Sequence, residues 1–391
     1  MNNLALFGGV PVRQETWPTP RMIDQTPAIF DALVKTLQEG LSMFTSNAVG
    51  NLEQKLVEVF HKHYAVAVSS GTAALETALY TLGIRSNLDE VIVPSATYIS
   101  SASSIIRNSG KPIFVDCDAT LTLSIEGLHK AINQHTKAVI FVSLFGNPGN
   151  ITEVYEICKN RNIPLIHDCA QGAASKHNGQ WIASIGDIVC LSFFETKHLA
   201  GGEGGALLMD REDIYKNAKS FSNLFEVRDD GIPTAIEPNF LLPVSYHNIG
   251  TNYRLPTLTA TLVSYAIDHL EETKTICLRN GEYYLKTLNE WGMFPFIHNV
   301  DEIGWYGVPI ILKKKNIRNG FWKALHLEGT PIARYYYTCL PYNEAFERAT
   351  RTYPMTESLV ANALVLPTHK AIGLQERVDI TNAFTKVGEV L

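Results

Sequence analysis

The chain has 391 residues, 46% of them hydrophobic and 18% charged, with a formal net charge of −6. That length exceeds what one compact core usually holds, so two lobes are expected. The mild acidity argues against a nucleic-acid partner, and no apolar run approaches the roughly 20 residues that cross a bilayer.

The opening "MNNLALFGGVPVRQETWP" has a short apolar stretch and no basic leader, unlike a signal peptide, so a cytoplasmic protein is expected. Between Tyr64 and Asp210 short apolar runs alternate with helix-length segments: "YAVAVS" (Tyr64–Ser69), "EVIVP" (Glu90–Pro94), "PIFVD" (Pro112–Asp116), "AVIFVSLF" (Ala138–Phe145), "PLIHD" (Pro164–Asp168), "DIVCLSFF" (Asp187–Phe194) and "GALLMD" (Gly205–Asp210). Runs rich in β-branched residues and without polar alternation read as strands covered on both faces, which implies an α/β fold with a mainly parallel sheet between helix layers. Ser124 and Glu126, ahead of an apolar pattern through Ala131, mark one helix start. From Arg254 to about Trp291 the pattern is long and helical. A fresh strand, "YGVPIILKK" (Tyr306–Lys314), then precedes a helix, a turn and a final helix. This divides the chain into a large lobe, residues 1–260, and a smaller C-terminal α+β lobe, residues 261–391, with the first 25 or so residues able to pack on either.

Three features are bland. The basic run Lys313, Lys314, Lys315 and Arg318 reads as a solvated edge. The cysteines Cys117, Cys158, Cys169, Cys190, Cys277 and Cys339 form no C-x-x-C pair and read as buried thiols in a reducing compartment. "HKHY" (His61–Tyr64) has no adjoining cysteine or carboxylate cluster, so no metal site is expected.

Ligands of open α/β sheets bind outside the carboxyl ends of the strands. Several candidates fall there. In "SSGTAALETALY" (Ser69–Tyr80) a strand gives way to a helix whose free N–H groups suit an anion. Gly71 allows close approach and Thr72 adds a hydroxyl, although a capped helix without ligand looks the same. Asp168 ends a strand, where it could orient a histidine, bind a metal, pair with a protonated ring nitrogen or serve structure alone. Lys197 follows Ser192 by five residues and precedes a glycine cluster. By itself it is a surface lysine. Beside an anion site and a carboxylate it suits a Schiff base with a phosphorylated aldehyde. Pyridoxal 5′-phosphate needs a lysine, an anion pocket, an acid for its pyridine nitrogen and a flat group over its ring. Lys197, Ser70–Thr72 with Ser192, Asp168 and Tyr98 would supply them in that order.

With "LALFGGVPV", "SSGTAAL", "VIVPSATYISSASSI", "FVDCD", "LFGNPGN", "IHDCAQ", "SFFETKHLAGGEGGAL", "GTNYRLPTLTATL" and "LVLPTH" in this order, the chain resembles the DegT/DnrJ/EryC1/StrS family of pyridoxal-phosphate-dependent sugar aminotransferases. The resemblance implies fold type I, the aspartate-aminotransferase architecture, with a seven-stranded sheet. It implies that Lys197 is the Schiff-base lysine and that Asp168 pairs with the pyridine nitrogen. Gln171 would lie near the cofactor's 3′-oxygen, Gly71, Thr72 and Ser192 on the phosphate, and Tyr98 on the ring. Asn252 would reach the phosphate from a neighbouring subunit and Arg254 would lie beside that shared site, in a homodimer with composite active sites. Some relatives carry histidine for the lysine and are dehydratases. Here the spacing from Ser192 favours Lys197 over the adjacent His198.

The implied reaction takes an amino group from L-glutamate to a nucleotide-linked 3- or 4-keto-6-deoxyhexose, for surface polysaccharide such as lipopolysaccharide O-antigen or for glycosylated natural products. A free cyclitol ketone is the alternative acceptor, since "LALFGGVPV" also resembles aminocyclitol-forming members. A cofactor-binding regulator without turnover is a third reading. Three departures from the family stand out. Ser143 replaces a frequent histidine. The segment 219–250 lacks an arginine-rich His-Gly turn. "IARYYYTCLPYNEAF" (Ile332–Phe346) is unusually aromatic, so that Tyr335, Tyr336 or Tyr337 could stack on a substrate or simply pack.

Overall fold

A computed structural model describes residues 4–20, 22–228, 233, 243–298, 301–335, 338–346 and 351–390. The seven expected runs become seven strands of one sheet: β1 (Tyr64–Val68), β2 (Glu90–Pro94), β3 (Lys111–Val115), β4 (Thr136–Val142), β5 (Leu165–Asp168), β6 (Ile188–Ser192) and β7 (Gly205–Met209). Their spatial order is β1-β7-β6-β5-β4-β2-β3. The pairs β2–β3, β2–β4, β4–β5 and β5–β6 are parallel, and only β7 runs against its neighbours. Alternate residues bury on opposite faces. Val66, Val91, Val93, Ile140, Ile166 and Leu207 enter one core cluster, while Ala65, Val189, Leu191 and Leu208 enter another and Ile92, Val139, Phe141 and Leu165 a third. Both faces are therefore dry, which explains the missing polar alternation. β4 ends at Val142 rather than at Phe145, because Phe145 adopts φ 58° within a short 3-10 turn that leaves the ladder.

The helices that matter to the site are α1 (Pro27–Glu39), α2 (Ala48–Phe60), α3 (Gly71–Thr81), α4 (Ser100–Arg107), α5 (Thr257–Asp268) and α6 (Leu270–Thr287). On α2, Leu52, Leu56 and Phe60 recur every fourth residue and bury one stripe, and α2 packs against α5 and β1. The long helical run breaks at His269 into α5 and α6. Ser124 caps the helix Ile125–Ala131 by accepting the Gly127 N–H, as its sequence signature suggests.

A second sheet is wholly antiparallel and comprises β8 (Gly292–Met293), β9 (Val308–Leu312), β10 (Ala333–Arg334) and β11 (Ala363–Leu366), in the order β8-β9-β11-β10. Helices α7 (Arg318–Leu327) and α8 (Leu374–Gly388) cover it, with Trp305, Ile310, Phe321, Leu325, Leu364 and Phe384 in one buried cluster. Leu4 joins that cluster. The N–H groups of Ala5 and Val12 donate to the buried Glu328 carboxylate, at 2.8 and 3.1 Å. The N-terminal segment thus packs on the C-terminal part of the chain. All six cysteines are buried and unpaired. Among the described residues no helix is long and apolar enough to cross a membrane.

Candidate active site

The carboxyl ends of β1, β2, β5 and β6 open on a cavity of about 550 Å³. Ser70, Gly71, Thr72, Tyr98, Asp168, Gln171, Ser192 and Lys197 all line it. Segments that are far apart in sequence therefore meet at one crevice, as the sheet rule requires.

Each side chain has a local reason to be there. Ser70 ends the β1 turn in extended conformation and caps α3, its Oγ accepting the Ala73 N–H at 3.0 Å. The N–H groups that begin α3 face an end of positive helix dipole, suited to an anion. The Thr72 hydroxyl meets Ser100 Oγ at 2.7 Å and so joins the starts of α3 and α4. Gln171 Oε1 accepts the Phe145 N–H at 2.7 Å, and this bond fixes the turn that ended β4.

Lys197 hangs from the loop 193–204, which links the adjacent antiparallel strands β6 and β7. The loop is stitched by Phe193 N–H to Gly204 O at 2.8 Å, Glu195 N–H to Gly202 O at 3.0 Å and Lys197 N–H to Phe194 O at 2.8 Å. Gly204 has φ +135°, and a Cβ on it would lie 2.6 Å from Leu255 Cδ1 on the segment leading into α5. Glycine here lets the loop lie flat against that segment.

Asp168 is buried. Its Oδ2 accepts the Ser101 hydroxyl at 2.7 Å and its Oδ1 the Ala170 N–H at 3.3 Å. Burial pushes its pKa up, while those two hydrogen bonds and the charge of Lys197 pull it down. His198 is buried beside Lys197. Burial first, and then the lysine's charge, push it down to about 4, so its imidazole is neutral.

The cavity also uses residues that the sequence did not single out. Thr97, Ser100, Phe194, Thr196, Glu203 and Tyr306 line it, and Ser101 stands behind Asp168. Ser100 and Ser101 lay within a motif already noted, and Glu203 within the glycine cluster. Tyr306 comes from just before β9, and no local signal connects it to Lys197. A second cavity, of about 170 Å³, shares Thr196 and Tyr306 with the first and is otherwise lined largely by apolar groups such as Met22, Pro331 and Leu366.

Three expected residues stand apart from the cavity. Asn252 and Arg254 run along the outer edge of β1, where Arg254 bridges Val68, the Tyr253 carbonyl accepts the Ser69 N–H at 2.8 Å and Arg254 Nη1 donates to Asn223 Oδ1 at 2.6 Å. Both are exposed. Tyr335 is 4% exposed, packs its ring 5.9 Å from that of Phe145 and belongs to the core around Trp305. Tyr336 and Tyr337 lie outside the described residues, as does much of the segment 219–250.

The model of the DegT/DnrJ/EryC1/StrS aminotransferase family matches residues 24–385. The chain belongs to that family. Within it, the chain is 30% identical to the GDP-perosamine synthase of Escherichia coli O157:H7, over 87% of this chain and 90% of that protein. It is also 30% identical to the L-glutamine:2-deoxy-scyllo-inosose aminotransferase of Streptoalloteichus tenebrarius, over 75% of this chain and 70% of that protein. Among solved structures, the PLP-form of Spr1654 from Streptococcus pneumoniae superposes with a TM-score of 0.86 at 22% identity, covering 96% of this chain and 100% of that one. The architecture is fold type I, as expected, and the DegT/DnrJ/EryC1/StrS relatives are sugar aminotransferases.

Proposed function

We propose that the 550 Å³ cavity holds pyridoxal 5′-phosphate and that the protein transfers an amino group from L-glutamate to a nucleotide-linked 3- or 4-keto-6-deoxyhexose. The observation that carries this reading is the convergence, on one cavity, of Lys197, a buried Asp168 and the start of α3. The residues present fit the group. A phosphate suits the α3 N–H groups with Ser70, Gly71, Thr72 and Ser192. A protonated ring nitrogen would give Asp168 the cation that burial of a carboxylate calls for. Gln171 would face the 3′-oxygen, and the half-exposed Tyr98 ring would cover one face.

Bound there, the cofactor supplies an aldehyde for an amine and a ring able to take up an electron pair. The chain's own residues do the rest. Lys197 Nζ would carry the covalent attachment and, when displaced by the donor, would accept the proton leaving the donor's α-carbon and deliver it to C4′, the carbon that had carried the aldehyde. Asp168 would hold the ring nitrogen protonated throughout. The glycine-paved loop 193–204 would keep Lys197 close to its work.

Composite sites in a homodimer belong to this reading. Asn252 is exposed at the edge of β1 and does not line its own cavity, which suits a role at a neighbour's phosphate. So do a cytoplasmic setting, a place in surface-polysaccharide synthesis and a division into lobes 1–260 and 261–391, the last supported by the seven-stranded sheet falling within the first and the four-stranded sheet within the second, while a small third sheet pairs residues 176–177 with 301–302 across the boundary. A free cyclitol ketone is the second acceptor, favoured by the relative from Streptoalloteichus tenebrarius.

The first experiment is the visible spectrum of the protein with added cofactor, before and after L-glutamate, beside Lys197→Ala. A yellow band that glutamate bleaches, and that the variant lacks, is expected. A protein that stays colourless overturns the cofactor assignment. Competition by a nucleoside diphosphate in the second half-reaction then separates a nucleotide-linked acceptor, which it inhibits, from a cyclitol, which it does not.

A further inference from the structure

Tyr306 stands at the lysine that carries the proposed chemistry. The Lys197 Nζ lies 4.0 Å from the centroid of its ring. The ring arrives from the approach to β9 and the lysine from the β6–β7 loop, so two distant segments form the contact. Tyr306 is fixed from several directions. Its hydroxyl and Thr196 Oγ1 are 2.9 Å apart, its N–H donates to Phe145 O at 3.1 Å and the His198 ring stands edge-on at 6.3 Å. Trp305, its chain neighbour, is 1% exposed. Thr196 and Tyr306 line both cavities and so form the partition between them.

A lysine amine sits on a flexible four-carbon stem and spreads over many rotamers unless something holds it. A carboxylate would hold it through an ion pair, but would also favour the protonated form that cannot act as a base. An aromatic face attracts the ammonium through its quadrupole, more gently. Resting on the role proposed above for Lys197, we propose that Tyr306 is a positioning residue whose ring face seats the Lys197 amine whenever that amine is detached from the cofactor. The Thr196 hydroxyl bonds the edge of this ring from the residue preceding Lys197, a small addition to a seat already fixed by the backbone bond to Phe145 and the buried Trp305.

The test separates ring face from hydroxyl. Tyr306→Leu removes the face. Tyr306→Phe keeps it and loses only the bond to Thr196, and Thr196→Val loses that bond from the other side. If the leucine variant does not fold, Tyr306→Met fills the space without a ring. In the holoenzyme, the leucine variant is expected to lower the maximal rate of glutamate-driven bleaching about threefold to thirtyfold, with half-saturating glutamate within about twofold of the parent. The phenylalanine and valine variants stay within about threefold. In the cofactor-free protein, reductive methylation by formaldehyde and cyanoborohydride is read at the Lys197 peptide by mass spectrometry. Removal of the face is expected to speed labelling severalfold, and Tyr306→Phe to leave it as in the parent. The proposal is overturned if the leucine variant slows no more than the phenylalanine variant, if its labelling is unchanged, or if its whole deficit lies in half-saturating glutamate. A Lys197→Ala protein that still colours and bleaches would instead sink the role of Lys197, irrespective of Tyr306.

Discussion

His167 and Asp168 are neighbours in sequence and opposites in role. Asp168 faces the cavity. His167, on the other face of β5, has Nε2 2.7 Å from Ser143 Oγ and Nδ1 3.0 Å from the Ile185 carbonyl. Those partners fix the tautomer: Nδ1–H donates to the carbonyl and Nε2 accepts the serine hydroxyl. Ser143, just past the end of β4, thus contacts an imidazole from the next strand. Burial first, and the charge of Lys62, push His167 down to about 3. Both His167 and His198 are therefore neutral when folded, while in the unfolded chain they take up protons below about pH 6.5. The sign follows: stability is present above that pH and falls as pH drops toward 4, by about 1.4 kcal/mol per pH unit for each residue. Urea midpoints at pH 7, 6 and 5 should decline, and a flat profile would contradict the assignment. Asp168→Asn keeps the shape but not the charge, so it should retain bound cofactor while slowing glutamate bleaching about 10²–10³-fold. Stopped-flow absorbance measures this, and an unimpaired rate would remove Asp168 from the chemistry. Asp168 drew notice because it ends an apolar strand, and Lys197 only through its spacing from Ser192 and the company of an anion site and a carboxylate. Tyr306 and Ser101 drew none, because only the folded chain brings them to those residues.

At the scale of elements, the strands were the most legible part, since two dry faces leave an unbroken apolar run. Their ends were less so. A turn such as the one at Phe145 depends on a distant acceptor, Gln171, and no propensity reports it. The two-residue strands β8 and β10 carry no periodicity at all. The junction of β1, α3 and β7 is where a single substitution should tell most. A Cβ on Gly205 would lie 2.6 Å from Leu191 O and 2.6 Å from the Ser70 carbonyl, backbone atoms that cannot turn aside. Gly205→Ala should destabilise the protein by about 1–3 kcal/mol and weaken cofactor binding by spreading the start of α3 from the sheet. Chemical denaturation and a cofactor titration would detect both, and a variant equal to the parent in each would show that the junction has slack.

At the scale of the molecule, the chain's two ends hold each other. Arg13 Nη1 reaches Asp379 at 2.8 Å and its Nη2 reaches Glu376 at 3.2 Å, both on α8. Arg13→Ala should cost about 1–3 kcal/mol, seen as a lower urea midpoint with an unchanged visible spectrum. Loss of colour instead would mean that the strap also shapes the cavity. The sequence left this segment free to join either lobe, because its partners lie more than three hundred residues away. The composite sites proposed above predict complementation: Lys197→Ala and Asn252→Ala proteins, each inactive, should regain activity when dissociated and mixed, because one site of the hybrid dimer then carries both native residues. No recovery, with hybrids verified by mass, would place Asn252 elsewhere. The antiparallel β7 has a further consequence, in the order of events during synthesis. Among the described strands β1 pairs with β7 alone, Tyr64 opposite Met209, and the bridge from Val68 to Arg254 on its other edge comes later still in the chain. A ribosome adding about 5–20 residues per second exposes β1 for on the order of ten seconds before its partner exists. Through that interval "YAVAV" is an apolar strand without a mate. The start of α3 at its end can meet Ser192 and Gly205 only after the loop bearing Lys197 has been made.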